Sequence, residues 1–145
     1  MADHKYFDAT HPLTPTANAL IELAADDTVF LALGAQSATL LGIKGAGNNQ
    51  VLIHSVGVVH TQLNALEILG NENRIHNEGF VTSIAGTGVL LSGGGINRLT
   101  NLGTITGAKG VDVANSTLVG DSLDLLNAGS ISAIGVAVKL SLIHI

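Results

Sequence analysis

An Asn-x-Gly turn signature returns three times in the second half of this chain, each copy followed by a short β-branched run, and this narrows the available folds more than any other feature. The copies are Asn77-Glu78-Gly79, Asn101-Leu102-Gly103 and Asn127-Ala128-Gly129, spaced 24 and then 26 residues apart. Ile75, Leu99 and Leu125 stand two positions before them. Self-similarity at such a period marks stacked repeats, in which a unit buries its apolar face only against its neighbours.

The copies align along their whole length. One unit runs from Gly70-Asn71 through Val81 and Gly88 to Val89-Leu90-Leu91, the next from Gly94-Gly95 through Ile105 and Gly110 to Val111-Asp112-Val113, and the third from Gly120-Asp121 through Ile131 and Gly135 to Val136-Ala137-Val138. Stepping back 22 residues reaches Ile53 and Gly57, with Asn48-Asn49 as turn and Leu66-Glu67-Ile68 as last strand, a degenerate fourth copy. Upstream, Val29, Leu31 and Leu33 alternate with Phe30 and Ala32, as a strand of a first, atypical coil would. In Pro15 to Ala25 the spacing of Leu20, Leu23 and Ala24 allows a short helix. The reading is therefore all-β: a single-stranded parallel β-helix, or β-solenoid, of about five coils of 22 to 26 residues over 26–145, behind an N-terminal capping segment over 1–25.

Composition agrees with a narrow, turn-rich stack. Apolar residues make up 46% of the chain but aromatic ones only 3%, so Val, Ile, Leu and Ala must fill the core. Eighteen Gly against two Pro favour many turns without the Pro enrichment of low-complexity chains. In parallel coils equivalent residues stack on themselves. The expected inward columns are Ile53, Ile75, Leu99 and Leu125; Val81, Ile105 and Ile131; and Leu66, Val89, Val111 and Val136, with Ile68, Leu91, Val113 and Val138 beside the last. Asn77, Asn101 and Asn127 are expected to form a hydrogen-bonded turn ladder, and Gly79, Gly103 and Gly129 to supply left-handed backbone.

The pattern Asn-Arg-(Ile/Leu)-x-Asn-x-Gly-(Thr/Phe)-(Ile/Val), with Gly-Val-x-Val closing the units, covers roughly residues 48–140. It resembles the right-handed parallel β-helix repeats of bacterial autotransporter passengers and of secreted adhesin or haemolysin-like proteins. That resemblance implies a stalk or adhesive role, although neither a signal peptide nor a translocator barrel is expected from these 145 residues.

Net charge is −5 with six Lys plus Arg, which provides no basic stripe for nucleic acid. No run approaches the ~18 apolar residues of a spanning helix, so no membrane span is expected. The absence of cysteine excludes disulfides, and it fits a reducing cytoplasm and a chain exported unfolded equally.

Few residues suggest chemistry. His54 and His76 fall at equivalent positions near His60, a weak metal pair short of the three or four ligands a zinc site needs. Glu67 and Asp112 fall at equivalent outward positions two coils apart, roughly 10 Å, as a carboxylate pair of a polysaccharide lyase or hydrolase would. No calcium nonapeptide, P-loop or Ser-His-Asp order occurs, and no cofactor is expected. Leu90, Leu102, Leu118 and Leu140 point outward, and the chain closes on Leu140, Leu142, Ile143 and Ile145 without a charged cap, a surface suited to self-association. The expectation is a non-enzymatic structural or adhesive β-helix of a bacterial secreted or surface assembly. Its partner is itself, in a homo-oligomer or filament, with carbohydrate or a cell surface as a further partner. A carbohydrate-active enzyme and a cytoplasmic scaffold filament are the alternatives.

Overall fold

The computed structural model describes residues 2–37, 39–93, 95–114 and 122–140, with only the backbone of Ser122 and Leu140. The chain climbs as a coil. An incomplete first turn holds β1 (His4–Phe7) and β2 (Ala19–Glu22). Five full turns follow: β3 (Thr28–Leu31), β4 (Gly34–Ser37) and β5 (Leu41–Gly45); β6 (Gln50–Ile53), β7 (Val58–Thr61) and β8 (Leu66–Leu69); β9 (Arg74–Asn77), β10 (Phe80–Ser83) and β11 (Thr87–Ser92); β12 (Ile96–Asn101), β13 (Thr104–Gly107) and β14 (Lys109–Ala114); β15 (Ser122–Asn127), β16 (Ser130–Ala133) and β17 (Val138–Leu140).

Each strand pairs with its counterpart in the next turn, and every ladder between these strands is parallel. Three faces result. The first is β1-β3-β6-β9-β12-β15, the second β4-β7-β10-β13-β16 and the third β2-β5-β8-β11-β14-β17. The fold is thus an all-β parallel solenoid of about five turns, as the repeat predicts.

Alternation along the short strands sends one set of side chains into a common interior. Val29, Val51, Ile75 and Leu99 fill it from the first face, Ala35, Val59, Val81 and Ile105 from the second, and Ile21, Ile43, Leu66, Val89 and Val111 from the third, all buried. Burying each larger aliphatic side chain contributes about 1.5–3 kcal/mol. At the start of the stack Phe7, Leu13 and Leu33 are partly buried and pack against this core.

The expected alignment needs three corrections. Ile75 lies beside Val51, while Ile53 lies beside Asn77. The corner 54–57 is two residues longer than its counterpart Glu78-Gly79, so Val58 again meets Phe80 and Gly57 lies under Gly79. On the third face Val111 pairs with Val138 rather than Val136, and Val113 with Leu140. Residues 19–22 form a strand where helical spacing was expected, with Ala19, Ile21 and Glu22 beside Leu41, Ile43 and Lys44. A short apolar window does not separate helix from strand; pairing to β5 does.

Candidate functional site

Asn77 Nδ2 donates to Asn101 Oδ1 at 2.8 Å, and Asn101 Nδ2 donates to Asn127 Oδ1 at 2.7 Å. Asn77 and Asn101 are fully buried. Asn77 Oδ1 also accepts the Gly79 N–H at 3.1 Å, and Asn101 Nδ2 reaches the Ser130 carbonyl at 3.1 Å. Such satisfied amides hold the corner in register, whereas an unpaired buried one would cost about 1–3 kcal/mol. Gly79, Gly103 and Gly129 differ from expectation: positive φ occurs instead at Gly47, Gly70, Gly93 and Gly95 and at Asp26, Asn48 and Glu72. A Cβ on Gly79, Gly103 or Gly129 would lie 2.1 Å from the carbonyl oxygen of Gly57, Gly79 or Gly103. Close approach of stacked backbones, not left-handed backbone, requires glycine there.

A second ladder escaped the sequence reading. Asn73 Nδ2 donates to Asn97 Oδ1 at 2.9 Å, while the Oδ1 atoms of Asn73 and Asn97 accept the backbone N–H of Asn49 and Asn73 at 2.9 and 3.0 Å. All three are buried, and Asp27 is buried at the foot of the ladder. Its carboxylate accepts the Asp3 N–H at 2.8 Å, the Ala24 N–H at 2.9 Å and Lys5 Nζ at 3.4 Å. Burial pushes the Asp27 carboxyl up, but these donors outweigh it and hold the group below its ordinary 3.8. The signal was available in the 24-residue interval from Asn49 to Asn73 to Asn97, which repeats beside the more conspicuous Asn-x-Gly.

Glu67 and Asp112 flank Leu90 on the third face, two strand spacings apart, in the expected register. Each already has a partner. Asn64 Nδ2 donates to Glu67 at 2.8 Å, and Lys109 Nζ sits 2.6 Å from Asp112, which is buried. Along the same outward column Lys44 lies beside Glu67 and Lys139 beside Asp112, so the two acids belong to a row of mixed charge.

The histidines are not stacked. His76 is level with Leu52 and Thr100, and its Nε2 is 3.1 Å from Glu78 Oε1. His54 lies in the long corner, its ring 6.0 Å from that of Phe30. Among the described residues no three His, Cys, Asp or Glu gather as a metal site, and no helix is long and apolar enough to cross a membrane.

Of the proposed joining residues, Leu142, Ile143 and Ile145 lie outside the described residues, and Leu140 is described only as the end of β17. What the structure does describe is the last turn. Leu125 and Ile131 are only partly buried, where Leu99 and Ile105 one turn earlier are fully so. Leu126, Ile134 and Val136 are exposed.

The first face carries two outward columns whose significance was also missed. His4, Thr28, Gln50, Arg74, Arg98 and Asp124 are register partners in one, and Tyr6, Phe30, Leu52, His76, Thr100 and Leu126 in the other. Arg74 and Arg98, the chain's two arginines, thus sit side by side and line a shallow depression with Gln50, Leu52, His76 and Thr100. The rings of Tyr6 and Phe30 stand 6.1 Å apart at the start of this face.

No protein-family model, curated protein or solved structure matches the chain.

Proposed function

We propose that this protein is a non-enzymatic structural and adhesive β-solenoid of a secreted or surface-exposed bacterial assembly, and that it acts through self-association. The observation that carries the reading is the contrast between the two ends of the stack. Ala19, Ile21 and Leu23 at one end are buried, whereas at the other Leu123, Leu125 and Ile131 are only partly so, beside β15, β16 and β17, each paired on one side only among the described residues. Unpaired parallel edges over an apolar interior are templates for another strand. The occupant is a second copy of the chain, which offers the same edge. The repeat pattern's likeness to adhesin-type β-helices supports the secreted setting.

Ser130 and Ile134 direct their N–H groups back to Gly103 and Gly107, so strand alternation turns the Ile131 and Ala133 N–H groups toward the free edge. Ala133→Pro removes one of these edge donors and leaves the ladder to β13 intact. Light scattering after size exclusion is expected to give an oligomer for the full chain and a smaller species for Ala133→Pro and for a version ending at Lys139, with unchanged circular dichroism. A full chain that stays monomeric over a hundredfold concentration range overturns the proposal.

A further inference from the structure

We propose that the first face binds an anionic polysaccharide laid along the solenoid axis, its acidic groups held by Arg74 and Arg98 and its sugar rings packed against Tyr6, Phe30 and His54. This deepens the adhesive reading above by naming the partner class, and it depends on that reading only for its biological setting.

Charge comes first. The chain carries a net −5, yet the outward columns of this face hold both arginines, two histidines and a single carboxylate, Asp124. Asp124 occupies one edge of the Arg98 guanidinium through Nε at 2.8 Å, while Arg74 makes no ion pair among the described residues. Glu72 shares the adjoining depression with both arginines but forms no ion pair with either among the described residues, and Glu78 engages His76. Arginines on adjacent strands, whose backbones are ~4.8 Å apart, suit carboxylate or sulfate groups, which their planar guanidinium groups bind through paired N–H donors.

The rings provide the second element. Tyr6, Phe30 and His54 form a succession with centroids 6.1 and 6.0 Å apart, and Tyr6 is exposed. Tyr6 and Phe30 lie on β1 and β3 and His54 in the corner after β6, while Arg74 and Arg98 lie on β9 and β12. From β1 to β12 there are four strand intervals, ~19 Å. A monosaccharide cannot span that distance and an extended oligosaccharide can, with Gln50 and Thr100 beside the arginines as hydrogen-bonding groups. Nucleic acid also combines rings and anions, but two arginines on a chain of net −5 are few cations for a phosphate backbone.

The test is calorimetric titration of the full chain with alginate, dextran sulfate, neutral dextran and a single-stranded oligonucleotide. Binding to alginate or dextran sulfate but not dextran is expected, and whichever binds identifies carboxylate or sulfate as the recognised group. The double variant Arg74→Gln, Arg98→Gln should weaken that affinity at least tenfold and Tyr6→Ala several-fold, each with an unchanged melting temperature. No binding to either anionic polymer, equal binding to dextran, preference for the oligonucleotide, or full affinity in the double arginine variant overturns the proposal. Running the same titrations on Ala133→Pro separates this from self-association: loss of the oligomer with glycan binding retained, or the reverse, assigns each failure to its own claim.

Discussion

Leu99 and Leu125 occupy the same register position one turn apart, as do Asn101 and Asn127, and Ile105 and Ile131, yet the fourth and fifth turns differ in burial. Leu99, Asn101 and Ile105 are fully buried between two neighbours, while Leu125 and Ile131 are partly open and Asn127 is exposed. Identical residues therefore contribute unequally. In a stack, a residue's stabilisation comes from its neighbours on both sides, so the same sequence is worth most in the middle.

Three measurements sharpen or break that comparison. The largest effect should come from truncating the core: Leu99→Ala is expected to lose about 2–5 kcal/mol in denaturant unfolding, and Leu125→Ala markedly less. Equal losses would mean that the fifth turn is as well packed in solution as the fourth. Next are the amides. Asn101→Leu breaks bonds to both Asn77 and Asn127 and should cost about 1–3 kcal/mol in thermal melts, while Asn127→Leu breaks only the end of the ladder and should cost less. An unchanged melt for Asn101→Leu would sink the ladder's structural role. The smallest effect concerns pH and the opposite end. Because the folded Asp27 carboxyl is held below 3.8, its contribution is fully present above that value and is lost as pH falls through the lower, folded one. Melting between pH 5 and pH 2 should therefore fall more steeply for the native chain than for Asp27→Asn, and parallel curves would remove Asp27 as the acid-sensitive foot of its ladder.

On the first two faces the second-half register could be read from the sequence because Ile75 and Leu99, or Val81 and Ile105, repeat the residue type that their stacking requires, whereas on the third face Val136 and Val138 both suit the column and pairing selects Val138. Ile53 misled because a corner can lengthen without disturbing the strand that follows, so a period counted at Gly57 does not hold at the strand before it. Residues 19–22 misled because their apolar spacing suits either element until a paired edge decides. The candidate site was less legible still. Alternation predicts which way Asp112 points but not that Lys109 is beside it, and it cannot join Tyr6 and Phe30, in divergent early turns, to arginines two repeats later.

The long corner at 54–57 has an engineering meaning. It accommodates two residues more than its counterpart while β6 and β7 keep their pairing on both sides. Lengthening a loop costs slowly, about 0.6 kcal/mol for each doubling. A peptide grafted between Ser55 and Val56 would be displayed on a rigid post at a fixed height along the axis, which makes the solenoid a ruler as well as a support.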